Sequence, residues 1–285
     1  MTSSPIDALK WKVLSSYKAN RIRTWTYQQL APCTHPRIVW VFGCQRSGTT
    51  MLRSFIGFDP RVNDQGEGDP PFFHQTTNDH PDYIRLIDDD QIEALVKEQR
   101  SEMVLIKPLH DSQRAAALLD RFPDSKGVWI FRNFHEVILS HLTYYEGRYE
   151  GLSYVRPLLD LASNSWKAEN LSNEMREQIK QFRKLVDTPT AAFAVFWLAR
   201  NSLYFSQPHS NLIALDYKQL VQQPSECLAT LSRHIYLDLD PRYAQFPEHR
   251  DRTKPLPNEI PPPILEACEA MTLKLQSASS LHGVD

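Results

Sequence analysis

The apolar residues of this chain are concentrated in short continuous runs, and each run is followed by a helical pattern. The runs lie at 37–42 (RIVWVF), 103–107 (MVLIK), 127–132 (GVWIFR) and 211–216 (NLIALD). Strands that are apolar on both sides are typical of a parallel sheet covered on both faces. The pattern therefore predicts an α/β fold, in which ligands bind beyond the carboxyl ends of the strands.

The helical patterns between these runs have the 3.6-residue period of amphipathic helices. They cover 49–56, 111–121, 134–146, 217–221 and 224–235. The segment 194–205 (AVFWLARNSLYF) is rich in Trp, Phe and other apolar residues, which predicts a core helix, with a part of the acceptor pocket as the alternative. Residues 6–23, within an N-terminal segment 1–30, predict a basic amphipathic helix that caps the protein's own core. Docking of this helix to a membrane surface or a partner is the alternative.

Two long segments interrupt the alternation of strands and helices. Residues 58–89 are rich in Pro, Asp and Asn, and residues 147–188 are polar and partly helical. Inserts beside a ligand site commonly shape a substrate pocket, which is the role expected of both. Together with a C-terminal loop and helix over 237–285, they predict one domain over residues 1–285.

Composition and charge narrow the classes of partner. The chain has 285 residues, 41% apolar and 23% charged, with a formal net charge of −2, so it has no general attraction for nucleic acid. Its four cysteines are scattered without a CxxC pair, which indicates a reducing compartment. The apolar run 191–199 is too short to span a membrane. We expect a cytoplasmic protein with no nucleic-acid partner and no transmembrane segment.

A glycine-containing turn joins the first predicted strand to its helix in the sequence VFGCQRSGTT, residues 41–50. Gly43 and Gly48 have the spacing of the phosphate-binding loop GxxxxGK[ST]. Backbone amides at the start of a helix, with nearby hydroxyl groups, can surround a phosphate. A turn that only connects strand and helix is the structural alternative.

The lysine of a nucleoside triphosphatase is absent from this loop. Thr49 occupies its place, and the nearby cation is Arg46 inside the loop. Without that lysine the hold on β- and γ-phosphates is lost, which disfavours ATP or GTP hydrolysis. We expect a different 5′-phosphate derivative as the ligand.

A second candidate anion site is VWIFRNFHEVILSH, residues 128–141. Arg132 ends a predicted strand, and Asn133 can cap the next helix with Glu136 three residues later. Ser140 shares a helix face with Asn133, so the arginine and the serine can meet at one ligand. A capped helix with a surface arginine is the alternative.

At these residues the chain resembles the sulfotransferases that use 3′-phosphoadenosine 5′-phosphosulfate (PAPS). GCQRSGTT resembles their 5′-phosphosulfate-binding loop, and an arginine followed by SGTT looks most like the tyrosylprotein sulfotransferase and bacterial branch. The resemblance implies a three-layer α/β fold with P-loop-NTPase-like topology. It implies PAPS as donor, 3′,5′-adenosine bisphosphate (PAP) as product, and no metal. It assigns the donor to Gln45, Arg46, Ser47, Gly48, Thr49 and Thr50, with Arg46 also at the sulfuryl group.

The same resemblance extends to the far end of the nucleotide. Arg132 and Ser140 have the eight-residue spacing of the family's 3′-phosphate motif, although residues 133–136 read NFHE rather than Asp-Pro-Arg-Asp. Tyr217 would lie beside the adenine, and Lys254 in a basic C-terminal loop would close over the 3′-phosphate. Taken alone, these are equally a half-buried tyrosine and an exposed charge run.

Glu67 is the leading candidate for the base that takes the acceptor's proton. Gly66 and Gly68 flank it, so the backbone can approach a ligand closely. By resemblance, its distance from Arg46 matches the catalytic glutamate of tyrosylprotein sulfotransferases. Asp64 and Asp69 are nearby rivals, and a solvated loop glutamate is the alternative.

Two further polar residues are candidates, one at the end of the strand 103–107 and one three residues beyond it. By resemblance, Lys107 at the end of this strand stabilises the leaving oxygen. His110 is the alternative base, because cytosolic sulfotransferases place a histidine just past this lysine; here it is displaced by one residue. The histidine pairs 74 and 80, and 135 and 141, lack the i, i+4 spacing of helical zinc ligands, so we expect no metal.

The sequence thus predicts a PAPS-dependent sulfotransferase that transfers a sulfuryl group to a hydroxyl or amine. A P-loop nucleotide or nucleoside kinase and a non-catalytic nucleotide-binding protein are the alternatives. Small molecules, lipids and saccharides are the acceptors considered, and a homodimer is a candidate assembly.

Overall fold

The computed structural model describes residues 17–67, 70–75, 84–144, 151–163, 165–242 and 254–279. The strands within these ranges are β1 (Arg37–Gly43), β2 (Val62–Gln65), β3 (Phe73–Gln75), β4 (Ile84–Leu86), β5 (Met103–Ile106), β6 (Lys126–Phe131) and β7 (Leu212–Asp216). Five of them form a parallel sheet in the order β2-β5-β1-β6-β7, and β3 pairs antiparallel with β4.

Helices connect the strands and cover both faces of the sheet. They are α1 (Tyr17–Leu30), α2 (Thr49–Gly57), α3 (Asp89–Lys97), α4 (Ala115–Arg121), α5 (Phe134–Tyr144), α6 (Gly151–Leu159), α7 (Asn173–Phe182), α8 (Pro189–Ser206), α9 (Tyr217–Gln222), α10 (Pro224–Ile235) and α11 (Pro262–Ala278). Short 3₁₀ turns lie at Leu109–Arg114 and Arg183–Leu185.

The predicted α/β fold with a central parallel sheet is confirmed. The four apolar runs form β1, β5, β6 and β7, and their side chains are buried on both faces. One apolar layer joins the sheet to α4, α5, α8 and α11, and the other joins it to α2, α9 and α10. This three-layer arrangement, with the glycine turn after the central strand, is consistent with a P-loop-like fold.

The predicted core helix 194–205 lies within α8, and this prediction is confirmed. Its residues Phe193, Phe196 and Trp197 are almost fully buried. The Trp197 indole donates a hydrogen bond to the backbone oxygen of Arg132 at 2.9 Å. Because this bond satisfies a carbonyl at the end of β6, the core helix also fixes the backbone from which Arg132 projects.

The edge strand β2 lies inside the predicted insert 58–89. Val62 is buried, whereas the next three residues (Asn63, Asp64 and Gln65) are polar and half-buried. An edge strand is covered on fewer sides than a central one, so it tolerates polar residues that hide it from a hydrophobic pattern. The predicted helix 111–121 begins instead as the 3₁₀ turn Leu109–Arg114, followed by α4.

The N-terminal helix is described from Tyr17, so residues 6–16 of its predicted extent lie outside the described part of the chain. It is attached by the Tyr27 hydroxyl, 2.5 Å from a Glu102 carboxylate oxygen, and by Arg23, which donates to the Phe58 carbonyl at 3.2 Å. Across the described ranges, every helix is too short or too polar to cross a membrane.

Candidate active site

The loop 43–50 is closed by two glycines that no other residue could replace without strain. Gly43 has φ 142°, and a Cβ there would lie 2.4 Å from the Ile130 carbonyl oxygen. Gly48 has φ 94°, which L-residues rarely adopt, and Arg46 between them also has a positive φ of 68°. The chain therefore turns tightly from the carboxyl end of β1 into the first turn of α2.

The side chains of this loop are polar and yet largely buried. Ser47 is 0% exposed, Thr49 4% and Gln45 6%. Among the described residues, neither the amide nitrogen nor the amide oxygen of the Gln45 side chain has a hydrogen-bond partner. Buried polar atoms without partners are costly, so a group that bonded to them would recover that cost. The loop fits a polar ligand at the start of α2.

Arg46 connects this loop to helix α5. Its Nε donates to the Ser140 hydroxyl at 3.1 Å, and its guanidinium carbon lies 4.2 Å from the centroid of the Tyr144 ring. Ser140 and Tyr144 are one turn apart on α5, so both face the loop. The structure therefore brings Arg46 and Ser140 together, although the sequence motifs place them at opposite ends of a nucleotide.

Arg132 follows the last residue of β6 and is 7% exposed. Its Nη2 donates to the Glu136 carboxylate at 2.9 Å, and its guanidinium carbon lies 4.2 Å from the Tyr217 ring centroid. Its Nε is buried and has no hydrogen-bond partner among the described residues. The guanidinium thus keeps donor capacity for an anion.

Tyr217 links Arg132 to the glycine loop. It begins α9 directly after β7, and it is 6% exposed. A Cβ at Gly48 would lie 2.2 Å from the Cδ2 atom of Tyr217, so the ring rests on that glycine. Because the same ring carries the Arg132 guanidinium, the loop and Arg132 are separated by little more than one aromatic side chain.

Glu67 and Lys107 meet because of the register between two parallel strands. Gln65 of β2 pairs with Ile106 of β5, so the residues just after each strand emerge side by side. The Lys107 ammonium lies 3.5 Å from Oε2 of Glu67 and 3.4 Å from the Thr50 hydroxyl. Lys107 is only 7% exposed. The carboxylate, the ammonium and the loop therefore form one continuous polar line.

The two oxygens of Glu67 have different surroundings. Oε2 faces Lys107, whereas Oε1 is buried and accepts no hydrogen bond from the described residues. Burial raises the pKa of Glu67, and Lys107 and Arg53 oppose that rise. A carboxylate with one unsatisfied oxygen and a raised pKa is suited to accepting a proton.

His110 lies beside Glu67. Its Nδ1 is 3.7 Å from Oε1 of Glu67, beyond hydrogen-bond distance, and 3.0 Å from the Ile84 carbonyl oxygen. The Ile84 amide nitrogen lies farther from Nδ1, at 3.4 Å. Since a carbonyl only accepts, the shorter contact favours the proton on Nδ1. The ring packs 4.5 Å from Trp166, and burial lowers the pKa of His110 to about 4.

Other predicted residues lie apart from this cluster or are engaged elsewhere. The Asp64 carboxylate pairs with Arg53 at 2.5 Å. Lys254 is exposed and lies at the start of the last described segment, so its predicted role stays a prediction. Asp69 lies outside the described residues. Within the described ranges, no cluster of three or more His, Cys, Asp or Glu residues is arranged to hold a metal ion.

Three residues of the site were not predicted from the sequence. Tyr144 covers Arg46, Trp166 packs on His110, and Arg53 reaches the turn that carries Glu67. The spacing of Tyr144, one turn after Ser140, was a usable signal, because i and i+4 positions share a helix face. Trp166 and Arg53 come from other segments and have no such signal.

Solved structures of several sulfotransferases are similar to this chain, among them the three that follow. A sulfotransferase domain from the curacin biosynthetic pathway is 15% identical, with 84% of this chain and 99% of that chain covered and a TM-score of 0.49. A sulfotransferase from Alicyclobacillus acidocaldarius is 14% identical, with 86% and 94% covered and a TM-score of 0.45. Mouse sulfotransferase SULT7A1, complexed with PAP, is 12% identical, with 94% and 73% covered and a TM-score of 0.37. A comparison with curated protein sequences gives no match.

The family assignment comes from the sequence. The sulfotransferase domain model matches residues 36–252, which include the loop, Glu67, Lys107, Arg132 and Tyr217. The chain belongs to the sulfotransferase domain family, and the protein is therefore a transferase of the PAPS-dependent class. The match favours this class over the kinase and the non-catalytic binding protein.

Proposed function

We propose that the protein transfers the sulfuryl group of PAPS to a hydroxyl or amine acceptor, with Glu67 as the general base. The observation that carries this proposal is the Glu67 carboxylate, which has one oxygen 3.5 Å from Lys107 and the other without a hydrogen-bond partner among the described residues. The unsatisfied oxygen is available for an acceptor's proton, and the line through Lys107 to Thr50 ties it to the donor loop.

The donor would bind at the loop 43–50 and extend from that loop to Arg132. The loop amides with Ser47, Thr49 and Thr50 would hold the 5′-phosphate, and Gln45 would supply its unsatisfied amide. Arg132 and Ser140 would hold the 3′-phosphate. The contact of Tyr217 with both Gly48 and Arg132 supports one ligand spanning the two groups.

The reaction forms a bond between the acceptor atom and sulfur, and it breaks the bond between sulfur and the 5′-phosphate oxygen. The acceptor's proton passes to Glu67, and PAP departs with the electrons of the broken bond. Lys107 and Arg46 would stabilise negative charge on the bridging and sulfuryl oxygens. By analogy with phosphoryl transfer, positioning and electrostatics supply most of the acceleration.

Glu67 is the better base of the two candidates. Burial lowers the pKa of His110 to about 4, so its imidazole is a weak proton acceptor at neutral pH. Burial acts on Glu67 in the opposite direction and raises its pKa. The same environment therefore strengthens the carboxylate as a base and weakens the imidazole. We assign His110 to the wall beside Glu67, against Trp166.

The acceptor would enter on the side of Glu67 that His110 and Trp166 border. Trp166 comes from the predicted insert 147–188, which supports the role of that insert in shaping the acceptor pocket. Small molecules, lipids and saccharides stay the proposed acceptor classes. A cytoplasmic location and a homodimer stay predictions.

Ligand-dependent thermal stability tests the donor. PAP should raise the melting temperature by an amount that grows with the logarithm of its concentration relative to Kd, because it binds only the folded protein. ATP with Mg²⁺ should give little shift. The reverse pattern would contradict the proposal and favour a kinase.

Transfer is tested with PAPS carrying radiolabelled sulfur and a panel of acceptors. A phenol, a primary alkyl alcohol, a monosaccharide, an amino sugar and a long-chain fatty alcohol represent the proposed classes. Label should move to at least one of them. PAP binding without transfer to any member or to water would favour a binding protein that does not catalyse.

A further inference from the structure

Arg53 lies on α2, four residues after the Thr49 that begins this helix, and its side chain points to the edge strand β2. Its Nε lies 2.5 Å from Oδ1 of Asp64, and the two side chains are only 17% and 16% exposed. Ion pairs at the surface contribute little, but a half-buried pair with this geometry fixes both partners. The pair therefore fastens helix α2 to the end of β2.

The same guanidinium lies against the backbone of Gly66, the residue before Glu67. A Cβ at Gly66 would lie 2.2 Å from Nη1, 2.4 Å from Cζ and 2.5 Å from Nη2 of Arg53. These three short distances place the guanidinium plane on the glycine Cα. Any side chain at Gly66 would therefore displace the Arg53 guanidinium from this position.

We infer that Arg53 is a positioning residue: it holds the turn that carries Glu67 at a set distance from the donor loop. This inference rests on the proposed role of Glu67 as the base. Helix α2 begins at the loop and carries Arg53, and Arg53 contacts Asp64 and Gly66, the third and the first residues before Glu67. A displacement of the loop is thereby coupled to a displacement of the base, which suits a reaction that needs both in line.

Charge adds a second way in which Arg53 acts on Glu67. The charged and titratable groups that face the Glu67 carboxyl are Lys107, His110 and Arg53. Asp64 faces Arg53. Lys107 and Arg53 both lower the pKa of Glu67 against the larger effect of burial. Removal of the Arg53 charge should therefore move the acidic limb of the pH–rate profile to higher pH, since more of Glu67 would be protonated.

The experiment compares Arg53→Gln, Asp64→Asn, Glu67→Gln and the control Arg121→Gln in the full-length protein. Arg121 pairs with Asp90 and Glu93 at the end of α4, on the opposite face of the sheet from α2. Transfer from labelled PAPS to the most active panel acceptor is measured from pH 5 to pH 9 at about unit intervals, with PAP thermal shifts as the measure of an intact donor site.

Arg53→Gln should lower kcat about 10- to 100-fold, as expected for a misplaced catalytic group, and raise the pH of the acidic limb. Asp64→Asn should also lower kcat, because it releases Arg53. It should not raise the pH of the acidic limb, because it removes a negative charge and keeps the positive charge of Arg53. Arg121→Gln should leave both kcat and the pH of the acidic limb unchanged. A general folding defect would not raise the pH of the acidic limb in Arg53→Gln and leave it unraised in Asp64→Asn.

Wild-type kcat and an unmoved limb in Arg53→Gln would overturn the inference while leaving the proposed function intact. If Arg53→Gln does not fold, Asp64→Asn decides: wild-type kcat in that variant overturns the inference, and a lowered kcat with a retained PAP shift supports it. Normal transfer by Glu67→Gln would remove Glu67 as the base and the inference with it.

Discussion

The guanidinium carbon of Arg132 lies 4.2 Å from the centroid of the Tyr217 ring. This contact joins the end of β6 to the start of α9, and the same ring also meets Gly48. A buried arginine that stacks on an aromatic face is held in place before any ligand arrives. The proposed 3′-phosphate site is therefore built as one unit with the donor loop.

Arg132→Ala should weaken PAP binding about 10- to 150-fold, which is ~1.5 to 3 kcal/mol, because a charged hydrogen-bond donor is lost. Arg132→Lys should recover little, since an ammonium neither stacks nor forms a fork of donors. Calorimetric titration with PAP measures both. Arg183→Ala, which breaks an exposed pair with Asp160, is the control. Tight PAP binding by Arg132→Ala would place the 3′-phosphate elsewhere.

Glu67→Gln should lower kcat at least ~100-fold and leave PAP affinity within about 3-fold, because the amide cannot accept the proton but fills the same space. His110→Gln should cost less, since its low pKa makes it a weak base. Steady-state transfer kinetics give the comparison, with Glu93→Gln, at a half-buried position on α3, as the control. A larger loss in His110→Gln than in Glu67→Gln would reverse the assignment.

Gly48→Ala should lower the free energy of unfolding by about 2 to 4 kcal/mol and abolish the PAP shift. The φ of 94° is strained for alanine, and its Cβ would lie 2.2 Å from the Tyr217 ring. Adding Tyr217→Ala should relieve the clash but not the backbone strain, so the two changes should be non-additive. Denaturant unfolding measures each. Strict additivity would show that the ring does not rest on the glycine.

Acid should destabilise the protein through His141. This side chain is 0% exposed, and burial, with a further effect of the nearby Arg46 charge, lowers its pKa from 6.5 to about 3. Below about pH 6.5, His141 therefore binds a proton in the unfolded chain, whereas in the native state it stays neutral down to about pH 3. The unfolding free energy falls as pH falls, by up to about 1.4 kcal/mol per pH unit.

The variant His141→Gln should have a flatter dependence over the same range, measured by urea unfolding at several pH values. Glutamine is neutral throughout this pH range. His135→Gln, which changes an exposed histidine on the same helix, is the control. Equal slopes in the wild type and in His141→Gln would show that His141 is protonated in the folded protein.

Much of the architecture was predictable because it depends on local pattern. The runs 37–42 and 127–132 are apolar at every central position, so they read as buried strands without tertiary information. The strand β2 was missed because its residues Asn63, Asp64 and Gln65 are polar. An edge strand tolerates polar residues, so it has no apolar run or alternation that the sequence could show. The start of the helix after β5 was also missed, because Leu109–Arg114 forms a 3₁₀ turn.

The candidate site divides in the same way. The glycine spacing alone predicted a phosphate-binding loop, and the resemblance to sulfotransferases assigned a phosphosulfate to residues Gln45 to Thr50. The partners of those residues were not: Arg46 meets Ser140, and Asp64 is held by Arg53 rather than left as a rival base. Such contacts join segments that are distant along the chain, and no short-range signal encodes them.

The amino-acid sequence by itself determined the alternation of strands and helices, the glycine turn after β1 and the family to which the chain belongs. Only the tertiary structure decided that Glu67, Lys107 and Thr50 form one line, and that Tyr217 sits between Gly48 and Arg132. The reason is physical. Periodicity and turn chemistry act between neighbours in the chain, whereas the meeting of side chains depends on the order and register of the strands that carry them.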